Sequence, residues 1–201
     1  MVREEMEERT RRIVATAVEL AEEGGFEAVR MRDVAAQAGV ALGTFYKRFS
    51  SKEDLLIAAL EVECIRMAKR LEGRPPQGVT RLERVAGFFN GATKGLTRKP
   101  NLAKAILRAV ASGEPDLAQR VAKFHETMTE MIIAALRGEA VSEEGGEASE
   151  LEQTVSFLLQ NMWFASLVGW SSGLHSRKAV VDQMRVAAEL LLKGMAQTER
   201  E

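Results

Sequence analysis

The sequence predicts an all-α protein, on three observations. Apolar residues recur at three- and four-residue spacing along nearly the whole chain, and no run of strict apolar–polar alternation is long enough for a strand. Aromatics are only 5% of the 201 residues and there are four prolines, so Ala, Leu, Val, Glu and Arg set the local preferences. The expected architecture is a small three-helix head containing a helix-turn-helix, then a larger helical body, about nine helices in total.

Taken in order, Ile13, Val14, Ala17, Leu20 and Ala21 form the apolar stripe of a first helix. It should stop at Gly24-Gly25, where glycine can take the left-handed conformation of a helix end. Shorter helices are expected at about 30–38, 42–49 and 52–71. Gly73-Arg74-Pro75-Pro76-Gln77-Gly78 then marks a boundary, because two prolines cannot continue a helix. It separates a head of residues 1–72 from a body of residues 79–201. In the body, helices are expected near 80–97, 100–111, 115–137, 151–172 and 177–197, with Pro100 and Pro115 in first turns, where proline is tolerated. Residues 138–149 read as an acidic, glycine-containing loop without a packed role.

The formal net charge is −1, so any basic surface must be local. The single cysteine, Cys64, cannot form an internal disulfide; among Val62, Ile65 and Met67 it reads as a small buried hydrophobe in a reducing compartment. The opening segment carries four glutamates and does not read as a secretory signal. The longest apolar region, 155–170, is interrupted by Ser156, Gln160, Asn161 and Ser166 and is shorter than the roughly 20 residues of a membrane span. A soluble cytoplasmic protein with no membrane partner is expected. His125 and His175 lie in different helical regions with no second ligand at metal-binding offsets, and His125 reads as a surface pair with Glu126. No phosphate-binding glycine loop or nucleophile elbow appears, so no enzyme activity, cofactor or metal is expected.

The segment 31–46 has the spacing of a helix-turn-helix. Val34, Ala35 and Ala38 give its first helix a packing face, Gly39 supplies the turn, Val40 plugs the crossing, and Phe45 and Phe49 point inward from the second helix. Left outward are Ala41, Leu42, Gly43, Thr44, Tyr46, Lys47 and Arg48. Hydroxyls and cations suit phosphate oxygens, and a bare Gly43 lets backbone approach DNA. Leu42 can meet a thymine methyl, and Arg32 can fork onto a guanine edge. Ser50-Ser51-Lys52-Glu53 reads as a helix start aiming amide N–H groups and Lys52 at a phosphate. Between Arg9 and Lys52 eight cations face five anions, a local excess of three against a net-negative chain. A plain pair of amphipathic helices with a solvated face would show the same helix-Gly-helix pattern, but not the Tyr46 and Ser-Lys-Glu offsets.

Those residues carry a resemblance. From Ile13 through Leu60 the chain resembles the DNA-binding domain of the TetR family of bacterial regulators. The matching features are Gly25-Phe26, Arg32-Asp33-Val34-Ala35, Ala38-Gly39-Val40, Gly43-Thr44-Phe45-Tyr46, Phe49 and Ser51-Lys52-Glu53-Asp54-Leu55-Leu56. One departure is Arg30, where the family commonly has a Ser or Thr N-cap; the expected loss is about 1 kcal/mol of local helix stability.

In the body, apolar residues cover nearly the whole circumference around 155–170, so that helix must be covered on two sides. A pocket-lined core can supply one cover and a partner subunit the other. Ala165, Ser166 and Gly169 form a small-residue strip, and the last helix carries Val180, Val181, Met184, Ala187, Ala188, Leu191 and Met195, a stripe too large for a lone surface helix. The ligand-lining candidates are Phe88, Phe89, Ala92, Ile106, Phe124, Met128, Met131, Met162 and Trp163, suited to a flexible apolar ligand. Asn161 is added as a group that orients a ligand carbonyl or satisfies a backbone group across a dimer.

The resemblance implies a five-helix body that encloses a ligand pocket and makes a homodimer through its last two helices. More loosely, through Glu27-Ala28-Val29-Arg30-Met31-Arg32, Val40-Ala41-Leu42-Gly43-Thr44 and the region from Phe164 to Trp170, the chain resembles the steroid-catabolism repressor (KstR-like) branch, which responds to steroid-derived acyl-CoA thioesters. The function implied is a homodimeric regulator, a repressor released from a palindromic double-stranded operator by a small apolar, steroid- or acyl-CoA-like effector. A ligand-promoted activator or co-regulator, and a lipid-sequestering protein with a vestigial head, are the alternatives.

Overall fold

The structure, a computed structural model, describes residues 2–141 and 146–198. Those residues form nine α-helices and one 3-10 turn: α1 (Val2–Ala28), α2 (Met31–Gln37), α3 (Leu42–Tyr46), α4 (Lys52–Leu71), α5 (Arg81–Thr97), α6 (Pro100–Val110), the 3-10 turn Pro115–Leu117, α7 (Ala118–Arg137), α8 (Glu150–Ser171) and α9 (Arg177–Thr198).

The helix ends follow local chemistry. Gly25, at φ +68° and ψ −155°, breaks α1 where the glycine pair predicts a stop, and the chain coils on to Ala28 beyond the kink. Thr80 and Ser149 each close a capping box with Glu83 and Glu152: the hydroxyl accepts the glutamate N–H, and the carboxylate accepts the cap's N–H. Pro100 opens α6, whereas Pro115 opens the 3-10 turn that leads into α7. The recognition segment differs from the expected 42–49. Helix α3 ends at Tyr46, and the Arg48 and Phe49 N–H groups both bond to the Phe45 carbonyl in the turn that follows. Five residues with no side-chain cap cannot hold a helix by propensity, so packing of Phe45 must hold it.

By packing, the chain falls into two compact units. One comprises the chain up to Glu63 together with Lys99–Ala122; the other comprises Cys64–Arg98 together with the chain from Lys123 onward. In the first, α6 lies along α1, α1 packs on α2, and α2 on α3. Its core holds Ile13, Ala17, Val34, Phe45, Phe49, Leu55 and Leu56, and α6 adds Leu102, Ile106 and Leu107. Polar contacts fasten α6 to the end of α1. Lys99 pairs with Glu22, the Asn101 amide donates to the Glu22 carbonyl at 3.0 Å, and Arg108 pairs with Glu27 at 2.7 Å while stacking 4.0 Å from the Phe26 ring centroid.

In the second unit, α9 packs against α5 and α8. Phe89, Met128, Met131, Ile132, Leu136 and Leu159 are fully buried, each worth about 1.5–3 kcal/mol. The Arg84 guanidinium caps the end of α7, donating to the Ala135 and Leu136 carbonyls at 3.0 Å each. Arg137 forks onto Glu152 at 2.7 and 2.8 Å and also donates to the Gly146 and Glu147 carbonyls. This corrects the reading of 138–149 as unpacked: residues 142–145 lie outside the described residues, but the stretch after them is tied to α7 and α8. Arg137 holds the Glu152 carboxyl down at about 2, with the Ser149 N–H and hydroxyl as lesser causes.

Three further expectations change. His125 is no surface partner of Glu126; its Nδ1 lies 2.8 Å from Gln160 Oε1, and Gln160 Nε2 donates to Thr129 Oγ1 at 2.7 Å. The small-residue strip on α8 is split, because Ala165 is exposed while the His175 ring occupies the space a side chain at Gly169 would need. The α9 stripe at Val180, Met184, Ala187, Ala188 and Met195 is buried within its own chain, so it gives no argument for a partner. Cys64 is buried, and burial followed by Glu130 pushes its thiol up to about 11. Among the described residues no helix is long and apolar enough to cross a membrane, and no three His, Cys, Asp or Glu side chains cluster as metal ligands.

Candidate nucleic-acid interface

The turn between α2 and α3 is built on one glycine. Gly39 sits at φ +65°, the Val40 N–H reaches the Ala35 carbonyl at 2.9 Å, and the Gly39 N–H reaches Ala36 at 3.2 Å. That is the double bond pattern of a Schellman helix end. No atom lies within 4 Å of a Cβ placed on Gly39, so the requirement is conformational, not steric. Val40 is then buried in the crossing, and Phe45 and Phe49 pack at 5.9 Å between ring centroids. Arg30 stands at the α2 N-cap in an extended conformation with no side-chain cap bond, as its residue type predicts.

With Phe45 inward, the other side of α3 is outward. Ala41, Leu42, Gly43, Thr44, Tyr46, Lys47 and Arg48 are exposed, Tyr46 by 49%. A Cβ at Gly43 would meet open space. Arg32 is exposed on α2. Among the described residues the side chains of Arg30, Arg32, Lys47 and Arg48 make no ion pair or hydrogen bond, so their charge is uncompensated. Lys52 is spent differently from its neighbours. Its Nζ donates to the Phe26 carbonyl at 3.1 Å, lies 4.3 Å from the Phe26 ring centroid and 3.8 Å from Glu27, and the side chain is only 22% exposed. It ties the start of α4 to the end of α1, which the Ser-Lys-Glu spacing did not reveal. Ser51 Oγ caps α4 by accepting the Asp54 N–H at 3.0 Å.

The ligand-lining candidates divide. Phe89, Ala92, Met128, Met131 and Trp163 are buried in the second unit, with Phe88 and Phe124 half-buried there. Trp163 stacks on Phe89 at 5.8 Å and donates its indole N–H to Thr93 Oγ1 at 2.9 Å. Ile106 is buried in the first unit, on α6. Asn161 and Met162 are on the outside of α8, where the Asn161 amide donates to the Phe157 carbonyl one turn back. The polar groups that α8 turns inward are Ser156, Gln160 and Ser166.

Two family descriptions match the chain: bacterial regulatory proteins of the tetR family over residues 13–59, and the tetracyclin repressor-like C-terminal domain over residues 78–191. The chain belongs to the TetR family. Regulators of this family bind DNA through the helix-turn-helix and are not enzymes. The HTH-type transcriptional repressor KstR of Rhodococcus jostii strain RHA1 is 33% identical over 92% of this chain and 83% of its own length. A TetR transcriptional regulator from Rhodococcus sp. RHA1 superposes with a TM-score of 0.82 at 26% identity, covering 94% of this chain and 97% of that one. Thermus thermophilus FadR, a TetR-family repressor solved with lauroyl-CoA, shares the fold with a TM-score of 0.68 at 22% identity, covering 92% and 94%.

In this TetR-family head the sequence reading missed the contacts that come from far along the chain. Lys99 at the N-cap of α6, Arg108 on α6 and Arg120 on α7 all reach head residues. No spacing rule connects residues 59 to 81 positions apart, and nothing in the helical periodicity marks them.

Proposed function

We propose that the chain is a repressor that binds a palindromic DNA operator as a homodimer and leaves it when an apolar acyl thioester occupies the body. The observation that carries this reading is the outward face of α2 and α3, where Arg32, Leu42, Gly43, Thr44, Tyr46, Lys47 and Arg48 stand exposed on a Gly39 turn. Cations without partners are suited to phosphates, and the remaining side chains to base edges in the major groove. Ala41 gives close approach at the start of α3, and Lys52 acts as a brace on α1. By function, residues 1–72 read DNA and residues 79–201 sense the effector and dimerise, although α6 packs with the head.

A dimer is favoured by a second exposed face. On α8, Phe157, Leu158, Met162 and Val168 are 63%, 40%, 48% and 39% exposed, and on α9 Val186 and Leu190 are 56% and 65% exposed. Six large apolar side chains left in water on two adjacent helices fit an isologous interface between copies. Two heads so joined would meet half-sites about 34–36 Å apart. The effector class is supported by the apolar core around Phe89, Met128, Met131 and Trp163, and by the lauroyl-CoA that accompanies FadR. A steroid-derived thioester is the finer form of the same reading. The regulator acts in the cytoplasm, beside the DNA.

The test is a mobility shift on the palindrome upstream of the chain's own gene, with lauroyl-CoA and steroid acyl-CoA thioesters added to the preformed complex. Retardation relieved by one thioester is expected. Failure to bind any palindrome at low salt would overturn the proposal, and a thioester that strengthens the complex would make the chain a ligand-promoted regulator instead.

A further inference from the structure

We infer that Arg120 is a positioning residue of the DNA-reading head, although it lies within the C-terminal family match, and that it acts through Asp54. The inference rests on α3 being the DNA-reading helix, and every contact it uses lies within the first compact unit.

Asp54 is only 7% exposed, and a carboxylate that deep is tolerated when it is paired and hydrogen-bonded. Its Oδ2 accepts the Ser50 N–H at 2.9 Å and the Ser50 hydroxyl at 3.3 Å. Ser50 and Ser51 form the turn by which the chain leaves the recognition segment, so this carboxylate fixes where α3 stands relative to α4. Its other oxygen, Oδ1, faces Arg120 Nε at 2.9 Å, an ion pair and not an aligned hydrogen bond. Arg120 Nη1 donates to Glu61 at 2.9 Å, and its guanidinium lies 6.0 Å from the Phe49 ring centroid.

One arginine therefore spans two carboxylates on α4, Asp54 and Glu61, and borders the aromatic residue that ends the recognition segment. A planar guanidinium offers a separate N–H donor to each carboxylate in a fixed fork, whereas an ammonium is a single point of charge on a flexible stem. Two carboxylates already neutralise Arg120, so it has no spare charge for a phosphate. Its contribution to DNA binding is through geometry: with Arg120 gone, Asp54 is a buried carboxylate with one oxygen unpaired, the Ser50–Ser51 turn relaxes, and α3 loses its fixed angle to the groove.

Salt dependence separates this role from direct contact. Each phosphate contact steepens the fall of log affinity with log salt by about 0.9, whereas a positioning residue leaves that slope alone. The probe is a duplex selected by the wild-type full-length chain from a random-sequence pool, with an unrelated duplex of equal length as control, followed by fluorescence anisotropy across a salt series. Arg120→Ala should lower affinity for the selected duplex about tenfold or more, with an unchanged slope and with binding to the unrelated duplex within about twofold of wild type. Asp54→Asn, which keeps its size and an oxygen for Ser50, should give a similar loss, and the double variant little more. Arg120→Lys should fall between.

Unchanged affinity in both Arg120→Ala and Asp54→Asn would overturn the inference. So would a slope made shallower in proportion to a lost phosphate contact, or equal losses on both duplexes. Should Arg120→Ala fail to fold, Asp54→Asn and Arg120→Lys decide the question by the same criteria. Failure of the wild-type chain to select any duplex would instead strike at the DNA-reading role of α3.

Discussion

Leu42, Thr44 and Tyr46 on α3, and Phe157, Met162 and Leu190 on α8 and α9, are all exposed, yet their surroundings differ. Around α3 the exposed residues alternate with cations that have no partner, and the few apolar ones are scattered. Along α8 and α9 large apolar residues stand exposed together, and two of the lysines on α9 are already paired, Lys178 with Asp182 at 2.5 Å and Lys193 with Glu189 at 2.7 Å. One face is poised for a polyanion whose counterions can be released, the other for a surface that excludes water. Exposure alone is common to both; the cluster of large apolar side chains on one and the cluster of unpaired cations on the other tell them apart.

The comparison breaks most decisively at Phe157. Replacing it with Glu should place a charge in the proposed dimer face and weaken self-association by about 3 kcal/mol or more, read by sedimentation velocity. A variant that stays dimeric at micromolar concentration would show that this face is not the interface. On the other face, Tyr46→Ala should leave the dimer and the thermal midpoint nearly unchanged but cost about 1–3 kcal/mol of affinity for a selected duplex. Equal binding by that variant would remove Tyr46 from the interface.

A smaller effect tests the scaffold under the DNA face. Gly39→Ala meets no steric block but must hold φ +65°, so it should destabilise the head by about 1–2 kcal/mol in denaturant titration. An unchanged midpoint would mean that the turn can relax. The smallest effect separates the two units by pH. The Glu152 carboxyl is held at about 2, below its ordinary value of 4.5, by Arg137. Its folded value is depressed, so its contribution to stability is present above pH 4.5 and is lost as pH falls towards 2. The stability of the wild-type chain should therefore decline more than that of Glu152→Gln across this window, seen by near-ultraviolet signals from Trp163 and Trp170. Parallel curves would show that the pair does not couple to folding.

The same two faces explain what could be read in advance. Around α3 the spacing puts Phe45 and Phe49 inward and Leu42, Gly43, Thr44, Tyr46, Lys47 and Arg48 outward, and Gly39 fixes the crossing. Helix α8 is apolar nearly all round, so its periodicity carries no phase: neighbouring residues are about 100° apart, and Gln160 inward with Asn161 and Met162 outward cannot be told from the reverse. The helix spans were legible because their caps are local, as at Thr80, Pro100 and Ser149. Lys52 and Arg120 were not, because their partners at Phe26 and Asp54 are set by tertiary packing and leave no trace in the spacing.

The central claim, that two copies read DNA through α3 while held together by α8 and α9, is tested most directly by stoichiometry. A labelled palindromic duplex and a half-site of equal length, each titrated with the full-length chain under analytical ultracentrifugation, supply the comparison. The account predicts two chains on each palindrome and a half-site bound weakly, with both features lost in Phe157→Glu. One chain per duplex, with half-site and palindrome bound equally well, would contradict it.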